Sequence, residues 1–308
     1  MARAAEIRVG VSGWTYPPWR GQFYPQGVPQ RRELAYLSSI FSTVEINGTF
    51  YKLQNPDTFG FWAGEVPEDF CFSLKGPRFI THVKRAREIT VPLANFFASG
   101  PLRLGAKLGP VLWQFPPNFR LNLDLMREFL SLLPQDTLAA SRLARKHDHR
   151  IQGRAYLRTD ALRAIRHAVE IRHESFADPA FIDLLRSFNV ALVCADTVEW
   201  PRLMDLTADF VYCRLHGSTE LYRSGYEAEA IDEWAARIRA WAQGRSMRNG
   251  RFVQQPGPAR ARDVFVYFDN TDKLRAPQDA QALMRKLGIE WRKETGARRE
   301  PIYAQAAS

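Results

Sequence analysis

The rhythm of this chain limits its fold more than any single motif. Short apolar, β-branched runs alternate with helix-period segments along its whole length. Candidate strands read Ile7–Ser12, Thr43–Asn47, Phe70–Lys75, Val111–Phe115, His167–Arg172, Ala191–Asp196, Phe210–His216 and Val264–Asp269. Helical patterns fall between them at Arg31–Ile40, Pro56–Gly64, Ile89–Ala98, Leu123–Leu133, Asp178–Phe188, Ala228–Ala242 and Pro277–Leu287. The gap between strands six and seven, Thr197–Asp209, is short and has the poorest helical pattern. Such alternation implies parallel βαβ units, and eight of them close naturally into a barrel. A barrel of this type needs about 250 residues, and the 308 present leave room for insertions. The rival doubly wound open sheet usually carries a glycine-rich phosphate turn after its first strand. Neither G-x-G-x-x-G nor a P-loop pattern occurs here. The expected fold is α/β, a (β/α)₈ TIM-barrel-like single domain over residues 1–308, with the barrel at about 7–287 and a tail at about 288–308.

Two helix-to-strand connections are over-long, at about 134–166 and 243–263. They and their flanks hold most of the excess positive charge. Residues 141–166 carry eight Arg or Lys against Asp148 and Asp160, and 237–262 carry seven Arg and no acid, within a net charge of +10. A basic surface attracts polyanions, so nucleic acid is one candidate partner for these insertions. A solvated face that keeps the protein in solution is the plainer reading. Helix-to-strand connections lie on the N-terminal, stability face of a barrel, which would turn this charge away from the catalytic mouth.

An apolar share of 45% and a charged share of 25% exclude disordered, collagenous and coiled-coil classes. No run approaches the roughly 20 apolar residues that span a bilayer, and the chain enters its first strand without an apolar leader. Cys71, Cys194 and Cys213 are odd in number, form no C-x-x-C and sit in apolar runs. They read as reduced structural thiols, and the expected location is cytoplasmic.

Side chains on a barrel strand alternate between interior and helix layer. Polar residues at period two therefore mark inward positions: Glu45 and Asn47, Ser73 and Lys75, Glu170 and Arg172, Arg214 and His216, Tyr267 and Asp269. Ser12, Gln114 and Asp196 close strands one, four and six. So many interior charges are costly unless paired or used. A structural ion-pair network is one reading. A functional site is the other, favoured because every charge falls at a carboxyl end, where barrel enzymes build their sites. In the functional reading, Lys75, Arg172 and Arg214 bind an anion through arginine forks. His216 transfers protons with Glu170 or Asp269 as its partner. The nearby connection adds Arg78, His82, Lys84 and Arg85. Aromatics crowd the first mouth loop, with Trp14 a candidate stacking surface, and the glycine-rich segment from His216 to Tyr226 is a candidate anion clamp. Glu170, Asp196, His216 and Asp269 also form an oxygen and nitrogen set that suits a divalent metal. The competing Arg172 and Arg214 argue against one, so no cofactor is expected.

Several segments are distinctive in combination: Val9-Gly-Val-Ser-Gly-Trp-Thr-Tyr, Val44-Glu-Ile-Asn-Gly-Thr-Phe-Tyr, Phe72-Ser-Leu-Lys-Gly-Pro-Arg-Phe-Ile-Thr-His, Leu108-Gly-Pro-Val-Leu-Trp-Gln-Phe-Pro-Pro, Ala168-Val-Glu-Ile-Arg-His, Val211-Tyr-Cys-Arg-Leu-His-Gly and Val266-Tyr-Phe-Asp-Asn. Together they resemble the YecE-like domain-of-unknown-function family, number seventy-two, over about residues 7–287. The resemblance implies a TIM-barrel-like fold in a cytoplasmic bacterial protein, and no established reaction. It adds His173 and Asn270 to the candidate binding residues. Three functions remain open on these residues. One is an enzyme for a small anionic, phosphate-bearing substrate, of hydrolase or isomerase type. The others are a nucleic-acid-binding protein acting through the insertions, and a metal-dependent sugar isomerase or abasic-site nuclease.

Overall fold

The computed structural model describes residues 4–217, 219–221, 224–245, 247, 249–255, 259–270 and 274–290. Most of the expected tail therefore lies outside the described residues, as do positions 218, 222 and 223 of the glycine-rich mouth loop and 248 and 256–258 of the second basic segment. Strands β1 (Ile7–Ser12), β2 (Thr43–Ile46), β3 (Cys71–Lys75), β4 (Leu108–Gln114), β5 (His167–Glu170), β6 (Ala191–Asp196), β7 (Phe210–Leu215) and β8 (Asp263–Phe268) pair in sequence order, and β8 returns to β1. Every pairing is parallel. The closed barrel matches the fold expected from the alternation.

Outside the barrel lie helices α1 (Glu33–Ile40), α2 (Gly48–Tyr51), α3 (Pro56–Glu65), α4 (Thr90–Ala98), α5 (Leu123–Ser131), α6 (Thr137–Ala144), α7 (Pro179–Ser187), α8 (Ala228–Ala242) and α9 (Arg275–Leu287). Several start where the sequence supplies an acceptor for an orphan amide. Asn122, Asp136 and Asp178 accept from the backbone of Leu125, Ala139 and Ala180. None of these helices is long and apolar enough to cross a membrane. The three cysteines are free and buried.

No helix forms between β6 and β7. Leu203 and Met204 are buried there instead, and Arg251–Gln254 of the second insertion pack beside them. Met204 N–H donates to the Arg251 carbonyl, and Asp205 accepts from the amides of Val253 and Gln254. The inserted segment thus fills outer-layer space that a helix would occupy elsewhere.

The barrel interior changes character with height. Cys71, Phe210 and Phe265 occupy its lower part, with Leu112, Ala168 and Val193 above them. Hydroxyls follow: Thr43 meets the Tyr267 hydroxyl at 2.8 Å and Ser73 meets the Tyr212 hydroxyl at 2.7 Å. Glycine is required where β1 crosses this layer, since a Cβ on Gly10 would lie 2.0 Å from the Thr43 carbonyl oxygen. The ionisable layer sits above the hydroxyls, at the carboxyl ends of the strands. Burial of each large apolar side chain below contributes about 1.5–3 kcal/mol, and that rigid support holds the polar layer in place.

Candidate functional site

Arg214 is the hub of the ionised layer and is fully buried. Its Nη2 donates to Glu45 Oε1 at 2.9 Å and to Asp269 Oδ2 at 2.8 Å. Its Nε donates to Glu45 Oε2 at 3.1 Å and its Nη1 to Glu170 Oε2 at 2.6 Å. The other Glu170 oxygen accepts from Arg172 Nε at 2.7 Å. Glu45 also accepts from Ser12 Oγ at 2.8 Å and from the Tyr212 hydroxyl at 2.6 Å. Burial would raise the Glu170 carboxyl, but Arg214 and then Arg172 outweigh it and hold the group well below the ordinary range. Asp269 is likewise held low, as Arg214 and then His216 overcome its desolvation. A single bidentate arginine does not close Glu170; two arginines divide its oxygens.

A cavity of about 460 Å³ opens over this floor. Lys75, Gln114, Arg172, Asp269 and Asn47 line it from the strand ends, and Tyr16, Phe50, Tyr51, Arg78 and His82 from the loops. Asp269 is the carboxylate that reaches it, with 12% of its side chain exposed against none for Glu45 and Glu170. The Lys75 ammonium lies 4.3 Å from the centre of the Phe50 ring. Burial and then the neighbouring Arg214 lower its pKa to about 8. Burial, then Lys75 and Arg172, bring His82 down to about 4, so its imidazole is neutral near pH 7. Arg172 lays its guanidinium 4.0 Å from the centre of the Trp200 ring, and the same indole meets His216 edge-on at 5.5 Å. The Asn47 side-chain oxygen is buried without a hydrogen-bond partner.

The connection from β3 to α4 carries Arg78 and His82 and is conformationally unusual. Phe79–Val83 forms a π-helical turn, a rare feature that often marks functional sites. Arg85, Ala86 and Glu88 then adopt positive φ values of 50°, 65° and 51°. Left-handed backbone at such residues costs about 1–3 kcal/mol each, and here it is concentrated beside the cavity.

Of the inward-facing residues at the strand ends, the cavity selects a part. Asn47, Lys75, Gln114, Arg172 and Asp269 line it. Glu45 and Glu170 lie beneath it with their oxygens occupied. His216 is fully buried behind Asp269, with Nδ1 3.2 Å from Asp269 Oδ2 and Nε2 3.8 Å from Glu170 Oε2. It does not line the cavity, which corrects its expected place at the reacting centre. His173 caps a short turn instead, accepting the Ser175 amide at 3.0 Å. Asn270 donates to Asp279 Oδ2 at 2.8 Å and to the Ser224 carbonyl at 3.0 Å, away from the cavity. The Tyr226 hydroxyl accepts the Gly217 amide at 3.1 Å and its ring packs on Phe268. Trp14 packs edge-on against Trp62 at 5.4 Å and lines an adjoining depression that shares Tyr16 and Asn47 with the main cavity.

Asp196 departs most from expectation. Its carboxylate turns outward to the helix layer, accepting from Trp234 Nε1 on α8 at 2.9 Å and pairing with Arg202 at 2.9 Å. The metal set of Glu170, Asp196, His216 and Asp269 is therefore not assembled, and Arg214 occupies the space between its inner members. Among the described residues no group of three or more His, Cys, Asp or Glu is arranged to hold a metal ion. Tyr16, Phe50 and Trp200 are site residues that the polar pattern could not reveal. Tyr16 belongs to an aromatic-dense mouth loop and Phe50 adjoins Tyr51, whereas Trp200 is the lone aromatic among the residues of Thr197–Asp209.

The basic insertions also need correction, because neither is confined to the N-terminal face. The first packs its α6 against α4. Its Asp148 accepts from Asn95 Nδ2 at 3.0 Å, and its Arg154 donates to Asn55 at the start of α3. Arg150 then reaches a groove beside the cavity, with Tyr51, Arg78 and Phe79. In the second, Arg251 pairs with Glu174, just beyond β5.

A closed parallel eight-stranded barrel with its ionised layer and cavity at the carboxyl ends defines a TIM-barrel-like protein of the ordinary polarity. Within that class the chain belongs to the DUF72 family, described as a protein of unknown function, whose family model matches residues 8–303. It is 23% identical to the UPF0759 protein YunF of Bacillus subtilis, over 92% of this chain and 96% of that one. It is 29% identical to the UPF0759 protein YecE of Escherichia coli over 42% of this chain and 44% of the relative. A DUF72 family protein from Thermotoga maritima superposes with a TM-score of 0.69 at 23% identity, covering 92% of this chain and 99% of its own. Another from Enterococcus faecalis gives 0.66 at 16% identity, covering 92% and 96%. These structures share the fold.

Proposed function

We propose that this protein is an enzyme that binds a small anionic substrate in the mouth cavity and acts on it by proton transfer, as an isomerase or hydrolase. One observation carries the reading: above a closed network of ion pairs, Lys75, Arg78 and Arg172 face an open cavity in which Asp269 is the one carboxylate among the described lining residues. A site of that sign favours carboxylate or phosphate groups, and arginine forks suit both. Lys75 and His82 supply proton transfer, since each is shifted toward its neutral form by burial and neighbouring cations. Asn47 and Gln114 offer amide groups to orient the substrate. Glu45, Glu170 and His216 serve from below, by fixing Arg214, Arg172 and Asp269.

The reading is tested with inorganic phosphate and a panel of sugar phosphates, using thermal shift and ligand-observed NMR. Saturable stabilisation is expected. Arg78→Gln, at an exposed position, should weaken binding about tenfold, the value of one modest charge-assisted hydrogen bond. If phosphate and the panel leave the melting temperature unchanged in both proteins, the proposal fails.

A further inference from the structure

Two lysines of this barrel are almost equally buried and differ sharply in what surrounds their amines. Lys107 is 7% exposed, and its Nζ donates to the carbonyls of Ala63 at 2.6 Å and Val66 at 3.0 Å. It also reaches Glu68 at 3.5 Å. That is a satisfied structural amine. Lys75 is 8% exposed, and among the described residues its Nζ makes neither a hydrogen bond nor an ion pair. It lies over the face of Phe50 at 4.3 Å from the ring centre. Glu45, Glu170 and Asp269 are near enough to act on its charge, yet both oxygens of Glu45 and Glu170, and Oδ2 of Asp269, are engaged by Arg214 and Arg172. The fold thus commits Glu45 and Glu170 to the arginines and leaves a desolvated amine lining a cavity, with Asp269 beside it.

We propose that Lys75 is a nucleophile that forms an imine with the carbonyl carbon of a substrate carrying a carboxylate or phosphate. The inference rests on the anion-site reading above and goes beyond it by assigning covalent chemistry and a carbonyl substrate class. Amines become nucleophilic where burial and a neighbouring cation disfavour the ammonium, and the 8% exposure of Lys75 and the nearby Arg214 provide these. The nitrogen lone pair forms a bond to the carbonyl carbon while the carbon–oxygen π pair moves onto oxygen. One nitrogen proton passes to that oxygen through His82 or solvent, giving a carbinolamine. The carbon–oxygen bond then breaks, the hydroxyl leaving as water with one proton taken from solvent. Amine, carbonyl and one proton thus give a protonated imine and one water, with no oxidation or reduction. Asp269 at the cavity wall balances the new cation, and Arg78 and Arg172 hold the substrate's anionic group.

The test incubates the intact protein with pyruvate in one arm and dihydroxyacetone phosphate in the other, each with sodium borohydride, which reduces an imine irreversibly. Peptide mapping then locates any adduct among the eight lysines of the chain. The expected product is one adduct on Lys75 in at least one arm, with a mass equal to the probe less one oxygen. Its rate should rise with pH to a plateau past about 8. Lys75→Met should abolish it, and because mapping on the unaltered protein is decisive, a poorly folded variant does not weaken the test. Binding of both probes is followed in parallel by thermal shift without borohydride. A probe that binds but leaves Lys75 unmodified overturns the covalent inference and spares the anion site. If neither probe binds or labels, and phosphate also fails to bind, both readings fall. Labelling confined to other lysines likewise overturns the inference.

Discussion

Removing Arg214 should reveal how much the floor of the cavity depends on one side chain. Arg214→Met keeps most of the apolar stem and deletes the donors to Glu45, Glu170 and Asp269. Loss of one partner from a buried ion pair costs about 3–5 kcal/mol. Here one guanidinium serves three carboxylates, so the upper value, about 5 kcal/mol, is the expected loss. For a chain of this size, at about 2 °C per kcal/mol, this lowers the melting temperature by roughly 10 °C. The loss should also depend on pH. Glu170 and Asp269 are held below their ordinary values in the native protein, so their contribution is present above the unfolded carboxylate range and is lost as pH falls through the lowered values. Without Arg214 the buried carboxylates favour protonation, which relieves the variant as pH falls. The gap between variant and parent should therefore narrow between about pH 7 and pH 5. Scanning calorimetry across that window measures both effects, and adding Glu45→Gln to the variant should recover part of the loss near pH 7. A variant that melts within about 2 °C of the parent near pH 7, or whose deficit is flat with pH, would refute the idea that Arg214 compensates buried charge.

Three further outcomes are expected. Asp196→Ala should cost about 1–3 kcal/mol by stranding the buried Trp234 indole donor, while phosphate affinity, measured by thermal shift, stays unchanged. The His82 imidazole should remain neutral in ¹⁵N NMR until about pH 4. Because its folded pKa lies below the unfolded value near 6.5, it opposes folding progressively as pH falls from about 6.5 to 4, and His82→Gln should flatten that part of the stability curve. Gly76→Ala would place a Cβ 2.3 Å from the Trp113 ring, so a loss of about 1–3 kcal/mol in urea denaturation is expected from overpacking.

Much of the fold was legible because parallel strands buried on both faces announce themselves as apolar runs, and their polar interruptions fall at period two. That rule alone marks Glu45, Lys75, Glu170, Arg214 and Asp269 as inward-facing. Applied strictly, it also separates Asp196: Val193 and Ala195 face the interior, so the next residue faces α8. What a strand pattern cannot supply is depth within the mouth. Glu170 is kept from the cavity because Arg214 and Arg172 take its two oxygens, and its bond to Arg214 is decided across the barrel rather than along the chain. The loops were harder still. Trp200 flanks Arg172 and His216 from a segment with no regular structure, and His82 owes its place to a π-helical turn with no plain sequence signature. The missing helix before β7 has a similar origin, since its space is filled by residues about fifty positions later.

The bracing of Arg214 against groups from β2, β5 and the end of β8 has a consequence for how such a barrel can change. Its keystone lies below the reach of the rim, so the loops above can be lengthened, shortened or exchanged without unseating it. A frame of this kind would let related chains, or a protein engineer, alter the guest while inheriting the same foundation.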